Sequence, residues 1–468
     1  MKPPNDFDLA ILGAGSAAFA AAIKGTELGA KVAMIEQGKV GGTCVNVGCV
    51  PSKALLRAAE HYHRSAKSPF AGAQTSVGDI DFPAMVDEKD ELVAAMRQTR
   101  YEDLIELYGI EIIPGQARFT GPGSLDVEGR PVKAGRFLIA TGAAPWAPPI
   151  PGLDSVGYIT STTALELSEV PAELTVVGAN AIGLELGQLF LNLGSRVSFI
   201  EVLERIAPFE EPEISAELTG HLESLGARVI TSATITSARQ TGGKRLLEIQ
   251  VGGESTQIES DQLLVAAGRR ARTASLGLIE AGVDTDVRGH VITDHRMVTS
   301  NPLIFAAGDV TTLPQFVYVA ARSGKVAAEH ALRGTGKTMD LTAMPRVTFT
   351  TPAIASVGTT EAEARERGDS PLVSILPLEI VPRALVDKET TGLIKLVADS
   401  RDRRLLGAHI LAENAGDVIQ AAVMAIKYRA TVDDIADTFH TYLTMAEGLK
   451  LAAQGFSKDV TQLSCCAG

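Results

Sequence analysis

The fold class predicted by the sequence is α/β: two Rossmann-like dinucleotide-binding domains followed by a C-terminal α+β domain. Three observations predict it. A glycine turn lies between two apolar strand-like runs near the start, at Gly13 to Ala18. The same plan returns at Gly178 to Gly183. From "MPRVTFTTPAIASVG" onward, strand-like and helix-like stretches alternate to the end, with "GLIKLVAD" and "LLGAHIL" apolar enough for a sheet.

The first unit is "DLAILGAGSAAFAAAIKGTELGAKVAMIEQG", residues 8 to 38. Leu9 to Leu12 read as a buried parallel strand, an Ala-rich helix follows, and Lys31 to Ile35 form a second strand ending at Glu36. Gly13 permits the tight turn, Gly15 lets the backbone approach a pyrophosphate, and Ala18 lets helix and strand pack closely. The helix N-terminus favours the phosphates. Glu36 stands where a carboxylate accepts from ribose hydroxyls. Strand, turn, helix, strand and acid in register make this a specific signal, where a lone glycine triplet would not be.

The second unit, "LTVVGANAIGLELGQLFLNLGSRVSFIE", spans residues 174 to 201. Gly178 and Gly183 fill the first and third glycine positions. Asn180 fills the second, and Asn tolerates unusual backbone angles. Glu201 ends the second strand, where a carboxylate favours NADH over NADPH; Arg205, four residues on, softens that expectation. Two dinucleotide sites in one chain point to a flavin and a nicotinamide, hence to electron transfer.

"FLIATGAAP" (137 to 145) and "LLVAAGRRA" (263 to 271) are near-copies, each a strand followed by a glycine turn at Gly142 or Gly268, and read as the exit crossings of the two units. "TSNPLIFAAGDV" (299 to 310) places Asp309 after a buried strand, where a carboxylate suits a flavin's ribityl chain. A long acidic helix is expected near residues 83 to 108.

Bulk properties exclude several classes. A net charge of −13 argues against nucleic acid and anionic membrane as partners. No apolar run reaches the roughly 18 residues of a membrane span, and the N-terminus lacks the shape of a signal peptide, so a cytoplasmic protein is expected. The four cysteines fall into two tight pairs, Cys44 with Cys49 and Cys465 with Cys466. In a reducing compartment such pairs favour redox or metal chemistry over structural disulfides.

"GGTCVNVGCVPSK", residues 41 to 53, carries the inner pair. In a regular helix, residues five apart have Cα atoms roughly 8–9 Å apart. A disulfide needs about 4.4–6.8 Å, so the segment must depart from a regular helix for the two to bridge; Asn46 and Gly48 allow that. A helix starting near Cys49 would raise its thiolate content.

This segment, with the two glycine turns, "ATG" and "AAGD", resembles the pyridine nucleotide–disulfide oxidoreductases over nearly the whole chain. The resemblance implies FAD in the first site, NADPH or NADH in the second, and a C-terminal dimerisation domain. It implies Cys49 as the thiol nearer the flavin and Cys44 as the interchange thiol. It pairs Lys53, near the flavin, with Glu185 of "GLELG". It also places Gly38, Thr43, Ala117 and Val317, with Ala18, around FAD.

Disulfide-reducing members of that family carry His-Pro-Thr-x-x-Glu near the C-terminus, with the His as acid/base. Here Thr444 and Glu447 keep the spacing, while Tyr442 and Leu443 replace His and Pro, and His440 is out of register. A phenol with a pKa near 10 is a poor base at pH 7. Tyr442, Leu443 and the "CCAG" tail resemble the branch of the family whose substrate is Hg²⁺ held by thiols. That implies a homodimer in which Cys465 and Cys466 take the metal from solvent thiols and pass it to Cys44 and Cys49 across the interface. Adjacent Cα atoms are about 3.8 Å apart, below the disulfide range, so the tail pair suits a dithiol better than a crosslink. The separate N-terminal metal-binding domain of that branch is not expected here, because the first glycine turn begins so near Met1. The alternative is a reducer of small organic disulfides, of the dihydrolipoamide dehydrogenase kind.

The expected organisation is an FAD-binding domain at residues 1–150, closing after the Pro-rich "PWAPPIPG", and a nicotinamide domain at 151–270. A returning flavin segment at 271–343 and a dimerisation domain with the cysteine tail at 344–468 complete it.

Overall fold

A computed structural model describes residues 6–462. Phe7–Leu12 (β1) is covered on both faces, with Leu9, Ala10 and Ile11 fully buried, which is why its sequence is a continuous apolar run. Ser16–Glu27 (α1) returns the chain to Val32–Glu36 (β2), parallel to β1 with Leu9 opposite Val32. Gly42–Val47 (α2) and Cys49–Ala66 (α3) follow. The expected acidic helix is two helices, Phe82–Arg97 (α4) and Asp103–Tyr108 (α5), joined through a π turn at Gln98–Glu102. Such a widened turn re-aims side chains without ending the helix. Here Tyr101 packs edge-on against Phe19 of α1, ring centroids 4.9 Å apart. Glu111–Pro114 (β3) pairs with β2. Ala117–Gly121 (β4), Ser124–Val127 (β5) and Arg130–Val132 (β6) make a small antiparallel sheet before Ala134–Ile139 (β7) returns beside β1.

After Ala143–Pro145 (β8), the plan repeats. Glu173–Val177 (β9), Ala181–Asn192 (α6), Arg196–Ile200 (β10), Pro212–Ser224 (α7) and Arg228–Ile230 (β11) form the second parallel unit. Thr234–Thr241 (β12), Lys244–Val251 (β13) and Glu254–Ser260 (β14) are an antiparallel excursion, and Gln262–Val265 (β15) returns beside β9. The strand orders β7-β1-β2-β3 and β15-β9-β10-β11 match. The two exit crossings then bond to each other: Arg269–Ala271 (β16) pairs antiparallel with β8, Arg270 opposite Ala144.

Past Leu278–Ala281 (α8), Ile304–Ala306 (β17) joins β7, so the chain returns to the first sheet and completes it as β17-β7-β1-β2-β3. Val317–Arg333 (α9) packs along α1. Small residues allow that approach: a Cβ on Gly324 would lie 2.8 Å from the Ala17 carbonyl carbon.

The remaining described residues run through Pro345–Thr348 (β18), Ala353–Gly358 (β19), Glu361–Glu366 (α10), Leu372–Pro377 (β20), Pro382–Asp387 (α11), Leu393–Ala398 (β21), Leu405–Ala412 (β22), Ala415–Lys427 (α12), Val432–Asp437 (α13) and Glu447–Gln454 (α14). Their sheet is antiparallel, β18-β19-β22-β21-β20, and the two apolar strands expected from sequence are neighbours in it, with Ile394 opposite Ile410. A buried ammonium interrupts that core. Lys395 of β21, 1% exposed, reaches Glu211 and Glu213 at the start of α7, at 3.0 and 2.9 Å, and Glu361 of α10 at 2.7 Å. Its cross-strand neighbour His409 is fully buried. Among the described residues, no helix is long and apolar enough to cross a membrane.

Candidate redox-active site

The cysteine loop is built by three glycines. Gly41 and Gly42 have positive φ, +100° and +64°, and turn the chain into α2. Gly48, at φ −131° and ψ −111°, ends α2 and precedes α3, so the Cys44–Cys49 segment departs from a regular helix at the residue where sequence allowed it. A Cβ there would press on the Thr43 carbonyl oxygen at 2.9 Å. Asn46 ties the loop together. Its amide donates to the Val40 and Gly42 carbonyls at 2.9 and 3.0 Å, and its oxygen accepts from Arg97 of α4 at 3.0 Å. Both thiols are free, Cys44 half-buried and Cys49 exposed.

Cys49 is the first residue of an 18-residue helix, where the unpaired backbone N–H groups favour negative charge. A hydrogen bond from the Cys44 thiol and the Lys53 ammonium outweigh burial and the Glu185 charge, and lower the Cys49 thiol to about 7. Cys44 moves the opposite way, raised by its bond to Cys49 and by burial. Cys49 is therefore about half thiolate at pH 7 and mostly thiolate above it, while Cys44 stays a thiol. Because a lowered pKa means thiolate above pH 7, alkylation of Cys49 by iodoacetamide should rise only about tenfold from pH 6 to pH 8, against roughly 80-fold for an ordinary cysteine. Peptide-level mass spectrometry reads this; the larger rise would refute a lowered pKa.

Lys53 lies one helical turn after Cys49. Its ammonium bonds Glu185 of α6 at 2.6 Å, and it stands 4.7 Å from the Phe349 ring centroid. Glu185 is 8% exposed, and its other oxygen accepts from the Phe349 N–H at 2.9 Å. One carboxylate thus joins the cysteine helix, the second nucleotide unit and the C-terminal region. Sequence reasoning missed Phe349, whose contribution is a backbone N–H. It also missed Tyr101, where burial pushes the phenol up, partly offset by a hydrogen bond with Ser16. Neither carries a local signal.

The first glycine turn is a cradle. Gly13 has φ +110°, and a Cβ would meet the Ala140 carbonyl oxygen at 2.5 Å. Gly15, at the start of α1, has only the Gly42 Cα within reach of a Cβ, at 3.6 Å; reciprocally, a Cβ on Gly42 would come within 2.6 Å of the Gly15 Cα. Ala18 is fully buried beneath the turn. Glu36 accepts from the Ala14 N–H at 2.9 Å and the Gly38 N–H at 2.8 Å. Thr43 lies half-buried in α2, Ala117 is buried at the start of β4, Gly142 has φ +68°, and Val317 stands exposed at the start of α9. Asp309 is half-buried; burial pushes its carboxyl up while Arg269 pulls it down. An uncapped α1 N-terminus, the Glu36 carboxylate against the turn and the half-buried Asp309 carboxyl near Arg269 fit the donor and acceptor needs of FAD.

The second turn repeats the first. Gly178 has φ +96°, and a Cβ would meet the Ala266 carbonyl oxygen at 2.6 Å; Gly183 closes on the Gly178 carbonyl. Glu201 accepts from the Ala179 and Leu203 N–H groups at 2.8 and 3.0 Å, as Glu36 does from Ala14 and Gly38. Gly268, at φ +133°, follows β15. Asn180 corrects one expectation. Its φ is −105° and ψ −171°, ordinary extended backbone close to the −92° and −170° of Gly15. The position needs no unusual angles. The tight fit at the first turn falls instead on Gly42, where a Cβ would come within 2.6 Å of the Gly15 Cα.

Tyr442 is exposed, in the turn before α14, and Leu443 follows with φ +59°. Glu447 is buried and accepts from the Leu443 N–H at 3.2 Å, which fixes the turn; Thr444 donates to the Thr441 carbonyl. Cys465 and Cys466 lie outside the described residues. Among the described residues, no group of three or more His, Cys, Asp or Glu is arranged to hold a metal ion, so the inner pair offers two thiol ligands.

Residues 7–324 match the pyridine nucleotide-disulphide oxidoreductase family, and residues 344–453 match its dimerisation domain. The mercuric reductase of Bacillus cereus is 51% identical over 463 residues, covering 99% of this chain and 73% of that protein. The mercuric reductase of Streptomyces lividans is 50% identical over 474 residues, 100% of both chains. Among solved structures, the Cu(II) complex of the HOCl-induced flavoprotein disulfide reductase RclA from Escherichia coli has a TM-score of 0.86 at 30% identity, over 96% of this chain and 99% of that one.

Proposed function

The chain belongs to the pyridine nucleotide-disulphide oxidoreductase family, and from that membership we propose that it reduces Hg²⁺ to Hg⁰ with electrons from NADH or NADPH, as a cytoplasmic homodimer. The observation that carries the reading is the inner dithiol, a thiolate and a thiol at a helix start one turn from the Lys53–Glu185 pair.

Soft thiolates outcompete harder ligands for Hg²⁺. The metal arrives as a bis-thiolate complex. The Cys49 thiolate bonds to it and one carrier thiolate leaves. The Cys44 thiol then displaces the second carrier, which departs with the Cys44 proton. Two electrons reduce the bound metal, both metal–sulfur bonds break, and Hg⁰ leaves behind two thiolates; the coenzyme is oxidised to NAD(P)⁺ with release of one proton. FAD, when bound, supplies the two-electron relay between coenzyme and metal. Gly13, Gly15, Ala18, Glu36, Gly38, Thr43, Ala117, Asp309 and Val317 are the groups assigned to hold it. Gly178, Gly183, Glu201 and Gly268 are assigned to the coenzyme. Lys53 lowers the energy of negative charge on Cys49, and Glu185 holds Lys53 in place. Tyr442 is assigned as a hydrogen-bond donor or soft-cation contact at the partner's dithiol.

Purified protein should oxidise NADH or NADPH only when Hg²⁺ is added with excess thiol; no metal-dependent oxidation removes the reading. The tail has its own test. Replacing Cys465 and Cys466 with Ala should slow turnover on the order of tenfold when Hg²⁺ is carried by bulky thiols, because a tethered ligand raises the local concentration of acceptor thiols. Small carriers should show less effect. Equal rates for all carriers would leave the tail without a delivery role. The likeness to RclA favours a second reading, reduction of a disulfide. Tyr442 in place of a histidine base opposes it, and turnover with lipoamide or glutathione disulfide would support it.

A further inference from the structure

Glu201 follows β10 and closes against the second glycine turn. It is 6% exposed, with both oxygens held by backbone N–H groups. Each oxygen keeps a lone pair for a hydroxyl donor. A carboxylate so placed accepts from a ribose and repels a phosphate ester on that ribose. Whether a cation stands beside it decides which coenzyme is admitted.

Arg205 is the only Lys or Arg between residues 197 and 227. Its guanidinium turns into its own loop. Nη2 donates to the Pro208 carbonyl at 2.9 Å and the Glu210 carbonyl at 3.3 Å, and Nε is buried. The Ala207 N–H bonds the Ala179 carbonyl at 2.8 Å, anchoring that loop under the turn. Between acid and arginine stand Val202 and Leu203, both exposed, and Glu204, a second carboxylate. A 2′-phosphate would meet the Glu201 carboxylate, with Glu204 in the same acidic segment and the Arg205 guanidinium already held by its own loop.

We infer that the second nucleotide site selects NADH over NADPH, with Glu201 as the selecting group and Arg205 as a clasp of the loop beneath it. The inference rests on the reading of this turn as the nicotinamide coenzyme site.

The test uses the full chain loaded with FAD, with Hg²⁺ in excess thiol and again with ferricyanide as acceptor. With an acceptor that turns over, kcat/KM for NADH should exceed that for NADPH by about 100-fold, the ratio that about 2.7 kcal/mol sets. Calorimetric titration with 5′-AMP and 2′,5′-ADP should give the same order without turnover, 5′-AMP binding at least about tenfold tighter, since like charges placed together cost affinity. Arg205→Ala should keep the NADH:NADPH ratio, whereas Glu201→Ala should lower NADH use and bring the ratio toward one. Equal or better use of NADPH, or a selective loss of NADPH oxidation in Arg205→Ala, overturns the inference. Preferential NADH oxidation with ferricyanide but none with Hg²⁺ would keep the inference and remove the mercury reading.

Discussion

Cys49→Ala removes Hg²⁺-dependent oxidation of the coenzyme, lowering kcat on the order of 10³-fold or more, as loss of a group acting directly on the reacting centre does. The size follows from what Cys44 is without its neighbour. Cys44 is raised by its bond to Cys49 and by burial, so it is the thiol of the pair rather than the thiolate. Removing Cys49 removes the anion that starts ligand exchange and leaves one sulfur where linear Hg²⁺ coordination needs two. Cys44→Ala should be less severe for the first exchange step, because the Cys49 thiolate still has Lys53 and the helix start behind it. Stopped-flow mixing with Hg²⁺ carried by small thiols separates the two: Cys44→Ala captures metal and stalls, Cys49→Ala captures slowly. Retention of more than about a tenth of parental kcat in Cys49→Ala would place the chemistry elsewhere.

The second large effect is on stability. Lys395→Ala leaves Glu211, 2% exposed, beside Glu213 and Glu361 with only the buried imidazole of His409, 3.7 Å from Glu211, in place of the ammonium. Breaking a buried ion pair from one side costs about 3–5 kcal/mol, because the remaining charges stay desolvated. Exposed pairs such as Arg57–Glu60, whose arginine is largely in solvent, contribute far less. Burial opposes charge on Lys395, but the three glutamates outweigh it and hold its pKa above the ordinary value. Its contribution is therefore full at neutral pH and lost only as pH rises through that raised value. On the acid side, burial alone would raise Glu213, yet Lys395 and a backbone bond bring it below the usual range, so its share is present above about pH 4.5 and lost as pH falls through the lowered value. Urea unfolding of parent and variant at pH 7 measures the loss. An unchanged midpoint would show that the cluster relaxes or hydrates without cost.

Much of the fold was legible because its constraints are local. Gly13 and Gly178 sit at φ +110° and +96° under a carbonyl oxygen, so only glycine serves, and the strands beside them are buried on both faces and must be apolar. The cysteine loop was legible for the same reason, since Gly48 supplies the required departure from helix. What spans the chain was not legible locally. Lys53 and Glu185 are 132 residues apart, and only resemblance joined them. Lys395 reads as the one charge in an apolar strand; its partners arrive from 184 and 182 residues away. The π turn that brings Tyr101 to α1 has no pattern distinguishing it from the acidic helix around it. Asn180 was misread because its position is ordinary extended backbone, φ −105° and ψ −171°, which any residue adopts.

The contact between Gly15 and Gly42 has a consequence for anyone redesigning this enzyme. With no side chain between them, the phosphate turn and the thiol loop behave as one component rather than two modules. A chimera that swaps either segment alone must reproduce a backbone-on-backbone fit, because even a methyl group on Gly42 would wedge the loop off the turn. Recombination here should succeed only when residues 13–18 and 41–49 are exchanged together.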